Sequence, residues 1–154
     1  MENMCLALRD ISQELPGVDI VWPLHPNPSV KKPASALLEN LPSIHLINPL
    51  DYKHFVFLMS RSRLILTDSG GIQEEAPSLG KPVLVLRPNT ERPEGIEAGT
   101  ALLAGTSRTS IKEKTLLLMK DESAYQEMAR KVNPYGDGRA SQRIAEILEK
   151  TTRQ

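Results

Sequence analysis

The 154 residues carry 40% apolar and 25% charged side chains, the balance of one folded, soluble domain rather than a disordered chain. Nineteen basic residues offset nineteen acidic ones, which excludes a bulk positive field for nucleic acid or an anionic membrane. The lone Cys5 cannot close an internal disulfide, no apolar run approaches the roughly 20 residues that span a bilayer, and acidic Glu2 speaks against a signal peptide, so the expected location is the cytoplasm.

In chain order, residues 2–15 read as an amphipathic helix on Met4, Leu6, Leu8, Ile11 and Leu15, ended by Pro16-Gly17. A strand follows at 18–22, a helix at 29–40, a strand at 44–47 and a helix at 51–60. The next strand, at 64–67, leads into a helix at 70–79 that Gly80 terminates. Strands at 82–86 and 100–103 flank a helix at 91–98, and helices at 107–120, 122–132 and 139–151 complete the pattern, the last as a C-terminal cap. The strands are short and continuously apolar, which predicts cover on both faces. Alternation of this kind predicts an α/β fold, a Rossmann-like parallel sheet with right-handed crossovers and helices on both faces, in one domain over 1–154. The pattern opens on a helix where a doubly wound domain opens on a strand. Either the fold omits that strand or the chain begins inside a larger protein.

Ligands of open α/β sheets bind beyond the carboxyl ends of the strands. The loops expected there hold His25 between two prolines, Asn48-Pro49, Asp68-Ser69-Gly70-Gly71, and Arg87 with Arg92. Ser69-Gly70-Gly71 at a strand-to-helix turn can admit a phosphate to backbone N–H groups, or Ser69 can simply cap the helix in a turn that binds nothing. A carboxylate one turn on, at Glu74 or Glu75, could accept from both hydroxyls of a ribose, although the helix dipole alone also favours it there. The G-x-G-x-x-G turn and its distant acidic residue are missing, which argues against a NAD or FAD domain. Arg87 and Arg92 can clamp a diphosphate or pair with Glu91 or Glu94. His45 and His54 read as structural, and of Tyr52, Phe55 and Phe57 at least two read as helical core. The three His and one Cys are too scattered for a metal site, and no Ser/His/Asp or Cys/His nucleophile layout appears.

The run from Leu64 to Pro77, with Thr67-Asp68-Ser69-Gly70-Gly71-Ile72-Gln73-Glu74-Glu75 at its centre, resembles the signature of non-hydrolysing UDP-N-acetylglucosamine 2-epimerases. The likeness extends through Gly80-Lys81-Pro82, Thr90-Glu91-Arg92-Pro93-Glu94, Ala98-Gly99-Thr100 and Asn133-Pro134-Tyr135-Gly136-Asp137-Gly138, and back to Pro23-Leu24-His25-Pro26-Asn27-Pro28. Alternatives from other classes are a stand-alone UDP-sugar-binding module and the donor domain of a UDP-dependent glycosyltransferase. Gln73-Glu74-Glu75 with Thr90-Glu91-Arg92-Pro93 favours the epimerase.

The resemblance implies the C-terminal half of a glycosyltransferase-B-like fold, truncated at its N-terminus. It assigns Ser69, Gly70, Gly71 and Arg92 to the UDP diphosphate, Glu75 to the ribose and backbone around Phe55 to the uracil. His25 would lie near the phosphates or a regulatory UDP-sugar site. It implies UDP and UDP-N-acetylhexosamine as ligands, no cofactor or metal, and a homodimer for the full-length family. The family interconverts UDP-N-acetylglucosamine and UDP-N-acetylmannosamine for envelope polysaccharides, by eliminating and re-adding UDP. The strand bearing His-Arg-Arg-Glu and the family's catalytic carboxylates have no counterpart in these 154 residues. No catalytic residue is therefore assigned, and the chain alone is expected to be inactive.

Overall fold

The computed structural model describes residues 1–152, so the last two positions of the expected domain lie outside the described residues. Helix and strand alternate as α1 (Glu2–Glu14), β1 (Ile20–Pro23), α2 (Pro28–Leu38), β2 (Ile44–Ile47), α3 (Tyr52–Arg61), β3 (Ile65–Thr67) and α4 (Gly70–Glu75). After a 3-10 turn at Ala76–Leu79 come β4 (Val83–Val85), α5 (Pro93–Glu97), β5 (Ala101–Leu103), α6 (Arg108–Lys120), α7 (Glu122–Ala129) and α8 (Ala140–Thr152). Every expected element is present, with boundaries moved by up to three residues. The largest change within a helix falls at 76–79, where Pro77 deprives the ladder of an N–H and the α-helix tightens to 3-10. Gly80 then ends the run in the left-handed region at φ 65°.

All strand pairs are parallel, but the strands form two sheets, β1-β2 and β3-β4-β5. Helix α1 packs against both α2 and α6, and the core beneath it draws Leu8 and Ile11 from α1, Ile44 from the first sheet, Leu84 from the second, and Ile111 and Leu118 from α6. The pleat divides each strand between two environments. Leu66, Leu84 and Leu102 form one row across the three-stranded sheet toward α1 and α6. Val83 and Val85 turn the other way, into a second core with Met59 of α3, Ala76 and Ala101. Helices thus cover both faces of the second sheet. On the first, Ile20, Trp22, Ile44 and Leu46 face the core, whereas Val21 and His45 on the other face are exposed.

One expectation about aromatic residues changes. Tyr52 and Phe57 are 69% and 65% exposed, and only Phe55 packs into a core, because α3 turns a single stripe (Phe55, Val56, Met59) toward Ile65 and Val83. Buried Cys5 and Ala7 join α1's inner face, beyond the positions read from the pattern. The last helix forms as expected, but Ile144, Ile147 and Leu148 on it are more than half exposed. Among the described residues no helix is long and apolar enough to cross a membrane, and no group of His, Cys, Asp and Glu could hold a metal ion.

Candidate functional site

The loops after β3 and β4 meet at the carboxyl edge of the second sheet. Buried Thr67, the last residue of β3, accepts the Ser69 N–H on its hydroxyl (3.0 Å) and fixes the start of the turn. Ser69 occupies the N-cap position in extended conformation, but its hydroxyl makes no capping hydrogen bond to α4. Gly70 and Gly71 lie within the helix, and neither has positive φ. Of the two, only Gly70 is tight for a side chain. A methyl group on Gly70 would stand 3.1 Å from Glu91 Oε1 and 3.8 Å from Arg92 Nη2. One on Gly71 would stand 4.0 Å from both Ser69 Oγ and Glu75 Oε1, so hydroxyl and carboxylate flank that glycine.

A polar relay joins the two loops. Gln73 is only 1% exposed, and its side-chain amide donates to the Ser69 carbonyl (3.3 Å). Its oxygen accepts from the Thr90 hydroxyl (2.5 Å), and Thr90 Oγ1 in turn accepts the Arg92 N–H (3.1 Å). Arg92 is thereby held in register with the Ser69 turn. From the other side, Tyr135 Oη accepts the Gly95 N–H at 2.9 Å and donates to the Arg92 carbonyl at 3.4 Å. Gly95 must lack a side chain, because a methyl group there would come within 2.7 Å of that hydroxyl.

The charges at this edge are already paired. Arg92 Nε donates to Glu74 Oε1, and that bond raises the Arg92 pKa further above its ordinary value. Arg87 Nη1 reaches both oxygens of Glu91 (2.8 and 3.1 Å). A hydrogen bond from its own backbone N–H, aided by the Arg87 charge, holds the Glu91 carboxyl below the usual range against partial desolvation. Pairing of Arg87 with Glu91 was one of the two roles open to it, whereas the partner of Arg92 is Glu74 rather than Glu94. The Glu75 carboxylate raises the Tyr52 pKa, through hydrogen bonding first and its charge second.

Ser69, Gly70, Gly71, Glu75 and Arg92 therefore come together. Phe55 packs, partly buried, against the core that holds Met59, Ala76, Val83 and Val85. His25 is exposed at the end of β1, where its Nδ1 accepts the Asn27 N–H (3.2 Å), and no described hydrogen bond ties it to the Ser69 turn. His45 and His54 make surface pairs with Asp19 (3.0 Å) and Asp51 (2.7 Å). Sequence reasoning missed the relay residue Thr90 and the buttress Tyr135. The available signal was that both stand inside the recognised motifs.

The family model described as UDP-N-acetylglucosamine 2-epimerase matches residues 1–149. The chain belongs to the UDP-N-acetylglucosamine 2-epimerase family. The family member from Escherichia coli K12 is 53% identical over 148 residues, a match that takes in 96% of this chain and 39% of that protein. Among solved structures, the UDP-GlcNAc 2-epimerase of Neisseria meningitidis bound to UDP-GlcNAc superposes with a TM-score of 0.91 at 50% identity, covering 97% of this chain and 40% of its own. The Staphylococcus aureus MnaA–UDP structure gives 0.92 at 45% identity, covering 99% and 42%. The chain thus spans about 40% of the length of the epimerases it matches, and its α/β architecture of parallel strands and helices is part of their glycosyltransferase-B-like fold.

Proposed function

We propose that this chain is the C-terminal, UDP-holding portion of a non-hydrolysing UDP-N-acetylglucosamine 2-epimerase. The observation that carries the reading is the joining of the Ser69-Gly70-Gly71 turn to the Arg92 loop through buried Gln73, in a chain half identical to an enzyme solved with UDP-GlcNAc. In this reading the turn's backbone N–H groups and Arg92 receive the diphosphate. Glu75 accepts from the ribose hydroxyls, backbone near Phe55 meets the uracil, and His25 serves the phosphates or a neighbouring regulatory UDP-sugar.

The reaction asks this portion to hold UDP while it leaves C1 of the sugar and returns. A fixed array of donors stabilises the departing diphosphate without reorganising at the moment of bond cleavage. The proton at C2 must be taken and returned by a carrier within about 3 Å of it, a role with no candidate among these residues. The pure 154-residue chain is accordingly expected to leave UDP-N-acetylglucosamine unchanged. Appearance of UDP-N-acetylmannosamine, followed by proton NMR, would overturn that expectation.

Binding is tested by calorimetric titration with UDP. Arg92→Ala and Glu75→Ala each remove a charged hydrogen bond and are expected to weaken binding by roughly ten- to hundredfold, about 1.5–3 kcal/mol. Unchanged affinity in both variants would show that the site lies elsewhere.

A further inference from the structure

The face of Gly70, where the missing side chain makes room for an oxygen-bearing group, is occupied within the chain by the Glu91 carboxylate: a methyl group on Gly70 would stand 3.1 Å from Glu91 Oε1. That carboxylate is gripped by Arg87 through both oxygens. The Arg92 guanidinium shares the face, with Nη2 3.8 Å from the same methyl position, and its Nη1 donates to the Glu91 carbonyl (3.2 Å). Glu74 takes the Arg92 Nε. Two cations and two anions thus sit on this face of Gly70, and Glu75 adds a third carboxylate beside Gly71. A diphosphate approaching Gly70 meets no excess of positive charge and, at closest range, a carboxylate of its own sign.

We propose that Glu91 is an internal anion that holds the diphosphate position in the chain and swings away when a nucleoside diphosphate enters, so that its charge lowers the affinity for phosphate. The idea rests on the diphosphate reading of the Ser69 turn. Displacement frees Arg87, which loses only an exposed partner, and raises the net charge of the cluster by one unit. The cost of removing Glu91 from Arg87 is small because both side chains are partly solvated, at 37% and 51% exposure. The repulsion avoided acts against that cost, because like charges within a few ångströms of each other beside a protein surface repel more strongly than in bulk water. Exchange of one anion for another also makes the site selective. A ligand with a diphosphate can replace Glu91 on the arginines, whereas an uncharged nucleoside cannot.

The test is calorimetric titration of the wild type, Glu91→Gln and Glu91→Asp with inorganic pyrophosphate, UDP and uridine. Glu91→Gln is expected to bind pyrophosphate and UDP about three- to tenfold more tightly than the wild type. Glu91→Asp is expected to retain most of the wild-type weakness, and uridine to bind all three proteins alike. Glu91→Ala repeats the charge removal should the Gln variant fail to fold, as judged by circular dichroism. Equal or weaker pyrophosphate binding by the charge-removed variant overturns the proposal and makes Glu91 a support for Arg87. In that event, UDP binding that still depends on Arg92 leaves the diphosphate reading standing. No UDP binding by any variant overturns both.

Discussion

Replacing Leu84 by Ala is expected to destabilise the chain by about 2–5 kcal/mol and to lower its melting temperature by roughly 5–15 °C. Leu84 is fully buried at the centre of β4, the middle strand of its sheet, between Leu66 on β3 and Leu102 on β5. It belongs to the core that α1 and α6 cover. Shortening it empties a site whose walls are strand backbone on two sides, which can close only a little. The cavity cost therefore adds to the lost transfer energy. Leu84→Met, which keeps most of the volume, is expected to cost less than about 1.5 kcal/mol. Thermal unfolding followed by circular dichroism separates the two, and equal melting temperatures for Ala and Met would refute the assignment of Leu84 to a close-packed core.

Gln73→Ala combines a cavity with a broken relay and is expected to cost about 2–4 kcal/mol of stability. Its side chain is the only described bridge between the Ser69 carbonyl and the Thr90 hydroxyl, and it is buried, so water cannot readily replace it. Because Thr90 in turn fixes the Arg92 N–H, the loss reaches the arginine loop. UDP affinity is expected to fall although Gln73 touches no ligand in the proposed mode. A double-mutant cycle with Thr90→Val measures the connection. A coupling of about 0.5–3 kcal/mol is expected for residues sharing one hydrogen-bond network, and strict additivity would dissolve the relay.

Much of this architecture was legible because parallel strands covered by helices leave short runs of continuous apolar residues, as Val83-Leu84-Val85 does. Helix ends were legible where a residue has one backbone use, as Gly80 has. The separation of five strands into two sheets was not, because apolarity marks a segment as a strand without naming its neighbour. Tyr52 and Phe57 misled for a related reason: aromatic residues at helical spacing suggest a core stripe, but α3 has one such stripe and Phe55 fills it. Within the candidate site, Ser69, Gly70, Gly71, Glu75 and Arg92 were marked by motif, and they do lie together. Gln73 was harder to read as a bridge, because a polar residue in a helix pattern defaults to solvent. Its inward position becomes apparent only when α4 is seen to continue into buried Ala76 and Pro77.

The two sheets share no strand pairing, and what joins them is one core, to which Ile44, Leu84 and the inner faces of α1 and α6 contribute. Cooperativity must pass through that core, of which α1 supplies Cys5, Ala7, Leu8 and Ile11. If α1 lifts away, that core loses a wall, the hold of β1 and β2 on the sheet that carries the Ser69 turn weakens, and each sheet can open on its own timescale. Amide exchange in such a molecule would follow two clocks, with the docking of α1 keeping them synchronous.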